Sequence, residues 1–325
     1  MTQVKYWKAI NDALAEEMER DAAVVVIGED VGEPGGTYIA TKGLFERFGA
    51  QRVRDTPISE GLLIGMATGA AMTGLRPVVE IMFMDFMTLA SDQLVNHAAK
   101  VSSVSGGAFS VPMVVRTMCG AGRNTGPQHG QSLESWLAHV PGLKVVWPAN
   151  PADMKGLLKS AIRDPNPVVV IESLALWNTR DEMPDGEHLV AIGEAAVARP
   201  GGDVTLVAWG AAERRALAAA EQLEGEGVSA EVLDLRTISP LDEDAILRSV
   251  ARTGRLVVVH DAVGPFGAGA EISALVAERG FDTLRAPIRR VAAPFAPVPF
   301  PPGLEAAYFP QADRIACVAR ELVGA

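Results

Sequence analysis

The fold is decided by a run of apolar residues, Ala22-Ala23-Val24-Val25-Val26-Ile27-Gly28. Apolar side chains in consecutive positions are typical of a strand that is buried on both faces, as in a parallel sheet covered by helices. Similar runs follow at Pro77–Phe83, Val111–Cys119, Lys144–Trp147 and Pro167–Ile171. Helical stretches lie among them, at Tyr6–Arg20, Thr88–Val104 and Pro151–Arg163. This alternation predicts a doubly wound α/β domain.

A second set of the same elements follows a polar, irregular stretch at residues 178–187. Strands are predicted at Val204–Trp209, Ala230–Leu235 and Arg255–Val259, with helices at 212–224, 242–251, 270–279 and near 312–322. Five prolines between Pro294 and Pro302 indicate an ordered, extended arm. We therefore predict an α/β fold of two doubly wound domains, residues 1–180 and 191–325, joined by a linker at 181–190.

Composition excludes several classes of protein. The chain has 325 residues, 48% of them hydrophobic and 21% charged, which is typical of folded rather than disordered proteins. A net charge of −11 argues against nucleic-acid binding and is compatible with a basic protein partner. Cys119 and Cys317 have no metal-site spacing, and the amino terminus lacks a secretion signal, so a soluble, cytoplasmic protein is expected.

One carboxylate stands at the start of a glycine-lined helical stretch. The sequence runs Arg54-Asp55-Thr56-Pro57-Ile58-Ser59-Glu60 and continues with glycines at 61, 65 and 69. Glu60 is placed either to hold an acid group in a cleft or to stabilise the helix start, where Ser59 can cap. Taken alone, the stabilising role is the commoner one. The glycine spacing predicts a close helix–helix contact, within the chain or between subunits.

Two further residues follow predicted strands and have open interpretations. His129 lies in a polar loop, Gly126-Pro127-Gln128-His129-Gly130-Gln131-Ser132, past a strand end, where open α/β sheets place ligands. It is either structural or a proton carrier. Phe86 is either a core residue or a surface on which a heterocycle stacks. The glycines at 120, 122 and 126 have a spacing one residue too long for a dinucleotide fingerprint.

Several stretches together resemble the beta subunit of the thiamine-diphosphate-dependent dehydrogenase component of 2-oxo-acid dehydrogenase complexes, of the pyruvate or acetoin dehydrogenase type. They are Gly28-Glu29-Asp30-Val31-Gly32, Arg52 to Glu60, Gly74-Leu75-Arg76-Pro77-Val78-Val79-Glu80, Pro141-Gly142-Leu143-Lys144-Val145-Val146 and Asp234 to Asp242. Their order and spacing over nearly the whole chain carry the resemblance.

The resemblance implies roles for particular residues. Glu60 would hydrogen-bond the aminopyrimidine ring of thiamine diphosphate, and Phe86 would pack against that ring. His129 would handle protons near the reacting carbon. Positions near the ring are matched by Glu29, Ile58 and Met82. Gly65 and Gly69 match a helix contact between subunits.

The resemblance also implies metals and partners. Relatives hold potassium on backbone carbonyls that match Met113, Ala161, Ile162, Asp164 and Asn166. No Gly-Asp-Gly motif for the metal-bound diphosphate occurs, and Gly201-Gly202-Asp203 is the nearest stretch. An alpha subunit would therefore supply the diphosphate and Mg²⁺ half of the site in an alpha2-beta2 heterotetramer. The second domain would serve assembly and docking to a lipoyl acyltransferase core.

Departures from the family pattern leave alternatives open. Gly130 stands where a serine usually follows the histidine, which alters the hydrogen bonding expected around His129. The stretches Val115–Gly122 and Pro240–Asp244 resemble acetoin dehydrogenases more than branched-chain enzymes. A self-sufficient transketolase-like enzyme and a non-catalytic assembly subunit are the alternative hypotheses.

Overall fold

The computed structural model describes residues 2–324. The chain divides into two compact units, each described by itself. The first unit comprises Met1–Cys119 and Trp136–Ile192, and the second comprises Gly120–Ser135 and Gly193–Ala325. The stretch predicted as a linker, 181–190, therefore groups with the first unit, and the loop that carries His129 groups with the second.

The first unit contains strands β1 to β8 and helices α1 to α7, except that the first two residues of α6 group with the second unit. The strands are Thr2–Lys5, Val24–Gly28, Val53–Asp55, Arg76–Phe83, Val114–Cys119, Lys144–Val146, Val168–Ser173 and Arg180–Met183. The helices are Tyr6–Arg20, Leu44–Phe48, Glu60–Met72, Met87–Asp92, Val101–Val104, Glu134–Ala138 and Pro151–Arg163.

A parallel sheet forms the centre of the first unit, with its strands in the order β6-β7-β5-β4-β2-β3. All residues of β2, β5 and β7 are buried, as the continuous apolar runs predict. The predicted strands and the helices α1 and α7 are confirmed, and α1 packs against α7. The doubly wound architecture of this unit is thus the one that the alternation of elements indicates.

The predicted helical stretch at Thr88–Val104 is helical over most of its length, but it is not a single α-helix. The chain there forms a short 3-10 turn at Met84–Phe86, α4, a π-helical segment at Gln93–Ala98, and α5. The π-helical segment lies beside α3, where the Gln93 side chain meets Gly65. Extra residues in a helical turn are accommodated in this way, often at functional sites.

The polar stretch after residue 178 is not irregular throughout. Its residues Arg180–Met183 form β8, which pairs antiparallel with β1 in the register Thr2↔Met183 to Lys5↔Arg180. The polar side chains of β8 are mostly exposed, so its composition resembles that of a loop. Hydrogen bonds to β1 satisfy the backbone groups of β8, and this pairing cannot be read from its amino-acid composition.

The second unit has a mixed sheet in the order β14-β13-β10-β11-β9. The strands β9 to β14 are Ala196–Arg199, Val204–Ala208, Ala230–Asp234, Thr237–Ser239, Leu256–Val263 and Arg289–Ala293. Helices α8 to α12 are Ala211–Glu224, Glu243–Thr253, Ala268–Arg279, Pro302–Tyr308 and Ala312–Val323. The predicted strands and helices are confirmed here, with β9 as an added antiparallel edge strand. The proline-rich arm is extended until it enters α11.

Candidate functional site

The predicted ring-binding residues lie at one edge of the first unit's sheet. Glu29 directly follows β2, Ile58 and Glu60 follow β3, and Met82 and Phe86 stand at the end of β4 and just beyond it. These strands are neighbours and run parallel, so their carboxyl ends meet at the same edge. Open α/β sheets bind ligands there.

Glu60 is the first residue of α3 and is only 7% exposed. A carboxylate at a helix amino terminus interacts favourably with the helix dipole. Ser59 occupies the capping position, and its backbone carbonyl accepts a hydrogen bond from Leu63 N at 2.9 Å. The Ser59 side chain, however, makes no capping hydrogen bond within the residues described, so the expectation that it caps the helix is wrong.

The negative charge of Glu60 affects the pKa of Glu29. The pKa of the half-buried Glu29 is raised, first by burial and then by the negative charges of Glu60, Asp30 and Glu80. Carboxylates that repel one another favour a state in which one of them holds a proton. The negative charge of Glu60 therefore acts on Glu29 at this edge of the sheet.

A buried ion network lies beneath the carboxylate pair. Arg116, 1% exposed, donates from Nε to Glu172 Oε1 at 2.7 Å and from Nη1 to Glu80 Oε2 at 2.8 Å. Burial raises the pKa of Glu172 to about 7, against the opposing attraction of Arg116. Sequence reasoning missed this network. The available signal was three charged residues inside runs that otherwise read as buried strands.

An apolar surface borders the carboxylates. Ile58 is 79% exposed, whereas Met82 and Phe86 are half-buried. The Phe86 ring packs edge-on against Phe83, with ring centroids 6.0 Å apart. The Thr37 hydroxyl donates to Met82 Sδ at 3.4 Å. Phe86 is therefore neither fully core nor fully exposed, which leaves part of an aromatic surface available to a flat ligand.

The glycines of α3 serve two different purposes. A Cβ on Gly65 would lie 2.9 Å from Gln93 Oε1, so this glycine permits close packing within the chain. A Cβ on Gly69 would meet nothing within 4 Å among the described residues. Leu62 and Met66, on the same helix, are large apolar residues exposed to solvent. The exposed side of α3 is therefore smooth and apolar.

The five carbonyls predicted to hold potassium lie at the carboxyl end of α7 and around the starts of β5 and β7. Arg76 Nη1 donates to the carbonyls of Ile162 at 2.9 Å and Asp164 at 3.3 Å. The Met113 carbonyl accepts from Val168 N at 3.0 Å, and that of Ala161 accepts from Asp164 N at 3.2 Å. Helix-terminal carbonyls attract cations, and each has a second lone pair. The donor set is therefore compatible with a hard cation, although Arg76 already supplies positive charge.

His129 is half-buried in a loop of the second unit, between residues 120 and 133. Thr125 Oγ1 lies 3.0 Å from the carbonyl oxygen of Gly120 and 3.1 Å from that of His129. A Cβ on Gly130 would lie 2.9 Å from the Gly126 carbonyl oxygen. The loop is tightly folded on its own backbone at Gly130.

Glu134 follows this loop as the first residue of α6 and is fully buried. Burial raises the pKa of Glu134 to about 7, and the negative charge of Asp261 adds to the shift. The Trp209 indole and the backbone N–H of Glu134 act in the opposite direction. Asp261 itself is paired with Arg215. The neighbouring His260 is buried and stacks on Trp209, and burial lowers its pKa to about 4, consistent with a structural histidine.

Replacing Glu134 is expected to change how stability depends on pH. Its folded pKa is raised above its unfolded value, so its stabilising contribution is complete below about pH 4.5 and is lost as pH rises through about 7. Glu134→Gln should therefore flatten the decline between pH 5 and pH 8, and be more stable than wild type at pH 8 by on the order of 2 kcal/mol. Thermal melts of both proteins across this range, with exposed Glu278→Gln as control, check it. Parallel curves for Glu134→Gln and wild type would contradict the assignment.

Two negative findings complete the description. Across residues 2–324, no cluster of three or more His, Cys, Asp or Glu side chains could hold a metal ion. In that same part of the chain, every helix is too short or too polar to cross a membrane.

Comparison with known proteins places both units. The family model for the transketolase pyrimidine-binding domain matches residues 2–178, and that for the transketolase C-terminal domain matches residues 193–315. The beta subunit of acetoin:2,6-dichlorophenolindophenol oxidoreductase from Cupriavidus necator is 46% identical over 323 residues, covering 96% of this chain and 95% of that one. The 2-oxoisovalerate dehydrogenase subunit beta of Bacillus subtilis is 42% identical, covering 99% of each chain.

A pyruvate dehydrogenase E1 component subunit beta from Rhizobium meliloti is 44% identical over 309 residues, covering 95% of this chain and 67% of that one. A solved structure described as a split gene transketolase, inactive beta4 tetramer, matches with a TM-score of 0.81 at 22% identity, covering 98% of this chain and 97% of that one. The structural match supports the fold alone. The chain belongs to the family of beta subunits of thiamine-diphosphate-dependent 2-oxo-acid and acetoin dehydrogenases.

Proposed function

We propose that the chain forms the pyrimidine half of a thiamine-diphosphate site in a dehydrogenase that acts on acetoin or pyruvate and passes the acyl group to a lipoyl carrier. The observation that carries the proposal is the position of the buried Glu60 at the carboxyl edge of the parallel sheet, with Glu29 following the adjacent strand β2. When bound, thiamine diphosphate supplies the electron sink for cleavage of the bond next to the substrate carbonyl.

Glu60 would hydrogen-bond the ring nitrogen of the pyrimidine and hold the proton at that atom. Its burial at the start of α3 fixes the carboxylate in place. Glu29, whose pKa is raised by burial and by the negative charges of Glu60, Asp30 and Glu80, would be a second carboxyl group at this edge of the sheet. Ile58, Met82 and Phe86 would contact the faces and edges of the ring and exclude water.

His129 would move protons near the reacting carbon during substrate activation or acyl transfer. An imidazole side chain is suited to accepting and donating protons close to neutral pH. The missing side chain at residue 130 does not leave a gap, because the Gly126 carbonyl fills the space that a Cβ would take. The backbone around His129 is thus held by close packing at Gly130 and by the Thr125 hydroxyl, which donates to the His129 carbonyl.

An alpha subunit would supply the remaining half of the site, including the diphosphate contacts and Mg²⁺. The chain has no Gly-Asp-Gly motif, and its acidic groups do not form a metal cluster in residues 2–324. The exposed apolar side of α3, with Leu62, Met66 and Gly69, is suited to a subunit interface. We place the chain in an alpha2-beta2 heterotetramer that docks on a lipoyl acyltransferase core through the second domain.

Potassium would bind at the end of α7, on the carbonyls of Met113, Ala161, Ile162, Asp164 and Asn166. Oxygen ligands suit a hard cation, and the helix end contributes negative potential. Arg76 donates hydrogen bonds to the carbonyls of Ile162 and Asp164, each of which keeps a second lone pair for a cation. A cytoplasmic location also belongs to this proposal.

The names of the relatives suggest the substrate class of this chain. Two curated beta subunits of acetoin:2,6-dichlorophenolindophenol oxidoreductases, from Cupriavidus necator and Bacillus subtilis, are each 46% identical to this chain. Pyruvate dehydrogenase beta subunits reach similar identity. Because an alpha subunit would also line the pocket, this chain narrows the substrate to acetoin or a 2-oxo acid rather than to a single compound.

A substrate panel tests the proposal. The chain would be produced with an alpha-type partner subunit, and cofactor-dependent reduction of an artificial electron acceptor measured with acetoin, pyruvate and branched-chain 2-oxo acids. We expect turnover with acetoin or pyruvate to exceed that with branched-chain acids by about tenfold or more, as a difference of one or two methylenes in a pocket allows. Turnover of branched-chain acids alone would overturn the substrate assignment. A cofactor-loaded pair that turns over none of them would favour a non-catalytic subunit.

A further inference from the structure

The loop that carries His129 is held by the proline-rich arm of the same unit. Glu305 of α11 is 3% exposed, and its carboxylate accepts hydrogen bonds from Gly122 N at 3.2 Å and from Asn124 N at 2.7 Å. Gly122 and Asn124 have φ values of +79° and +58°. Glycine and asparagine are residue types that adopt this left-handed region more readily than others, so the turn has a defined backbone shape, and the Glu305 carboxylate binds two of its N–H groups.

Apolar contacts from the arm reach the loop on both sides of His129. A Cβ on Gly126 would lie 3.0 Å from the Phe300 ring, and one on Gly130 would lie 3.3 Å from Val298 Cγ1. Phe300 therefore packs beside Gly126 and Val298 beside Gly130, on the two sides of His129 in the sequence. The arm is closed on itself, because the Tyr308 hydroxyl donates to the Ala296 carbonyl at 2.6 Å.

The contacts of Glu305 pass to His129 through Thr125. The Thr125 hydroxyl bridges the carbonyls of Gly120 and His129. Thr125 follows Asn124 directly in the sequence, so the turn held by Glu305 continues into this bridge. Hydrogen bonds from backbone N–H groups to a buried carboxylate are among the stronger ones in proteins. Loss of that carboxylate would free the 122–124 turn and, with it, the bridge that fixes the His129 backbone.

We infer that Glu305 is a positioning residue for His129, which fixes the catalytic loop from the carboxyl-terminal arm. This inference rests on the proposed proton-handling role of His129. It adds a function for the arm beyond assembly. The role of Glu305 could not be read from the sequence, because the loop and α11 are about 180 residues apart and a glutamate in a short helix is a common pattern.

The test is a double-mutant cycle on the complex with its alpha subunit. Glu305→Gln should lower turnover by about tenfold to a hundredfold, as expected for losing charged hydrogen bonds that orient a reacting group. In the His129→Ala background, the same change should cost less than twofold further, because the residue to be positioned is gone. Exposed Glu278→Gln in the same unit serves as the control and should leave turnover unchanged.

Hydrogen exchange supplies a readout that does not depend on turnover. The peptide covering residues 120–133 should exchange about tenfold or more faster in Glu305→Gln than in wild type, with peptides of the β10 and β11 core unchanged. Should Glu305→Gln fail to fold, Phe300→Ala replaces it. Phe300 is 65% exposed, so its loss spares the core, and it should show a smaller drop with the same non-additivity.

The outcomes separate this inference from the proposed function. If His129→Ala turns over at the wild-type rate, the role of His129 itself is wrong, whatever Glu305 does. If His129→Ala is slow but Glu305→Gln stays within twofold of wild type, the positioning role is wrong and the role of His129 stands. Losses that multiply in the double variant would likewise overturn the inference.

Discussion

Glu60→Gln is expected to lower turnover by the complex with its alpha subunit about a thousandfold, because proton transfer by a positioned side chain contributes on the order of 10²–10⁴ in rate. The amide keeps the size of the side chain at the buried start of α3 but cannot share a proton with a ring nitrogen. The assay is reduction of an artificial acceptor at saturating substrate and thiamine diphosphate. Cofactor affinity, measured by titration, should change by less than about tenfold, since one hydrogen bond is altered and not the whole contact surface.

A matched control separates this effect from a general change of charge. Glu46 is an exposed carboxylate in α2 of the same unit, and Glu46→Gln should have the wild-type rate. If Glu60→Gln keeps more than a tenth of wild-type turnover, the buried carboxylate only stabilises the helix start. The alternative that the sequence leaves open for Glu60 would then be the correct one.

Arg116→Met is expected to destabilise the first unit by about 3–5 kcal/mol. The change removes the cation from between Glu80 and Glu172 and leaves two carboxylates in the sheet without their partner. The pKa of Glu172 is about 7 with Arg116 present, and loss of that attraction would raise it further. The loss should therefore be larger at pH 8, where charge is forced on the carboxylate, than at pH 6.

Chemical denaturation measures this effect, with the unfolding transition of the first unit as the signal. The double variant Arg116→Met/Glu172→Gln should recover part of the lost stability, because one buried charge is removed with its partner. Arg199→Met is a suitable control, since Arg199 pairs with an exposed glutamate in the second unit. A single variant that melts like wild type at both pH values would show that the network contributes little.

Most of the sheet could be predicted because a strand buried on both faces is largely apolar. This holds throughout β2 and over most of β5, β7, β10 and β13, although β5 and β7 also carry the buried charges of Arg116 and Glu172. The π-helical geometry at Gln93–Ala98 could not be predicted, since the local sequence pattern does not report that Gln93 packs beside Gly65 of α3. Strand β8 was hidden for a similar reason, because it is ordered by β1 and not by its own side chains.

The candidate site was predictable to the extent that chemistry follows strand ends. Glu29, Glu60 and Phe86 each lie just beyond a strand, and the parallel order places them at one edge. The supporting residues were not predictable from local pattern. Arg116 acts through partners 36 and 56 residues away, and Glu305 through partners 181 and 183 residues away. Contacts at such separations are set by topology rather than by the neighbouring sequence.

The most direct test of the account is the comparison of turnover by the chain alone with turnover by the chain and an alpha-type subunit together. Both samples would contain thiamine diphosphate, Mg²⁺, acetoin or pyruvate, and an artificial electron acceptor. The account predicts no cofactor-dependent turnover by the chain alone and full turnover on addition of the alpha subunit, because this chain holds only the pyrimidine half of the site. Cofactor-dependent turnover by the isolated chain would contradict it and would support a self-sufficient transketolase-like enzyme.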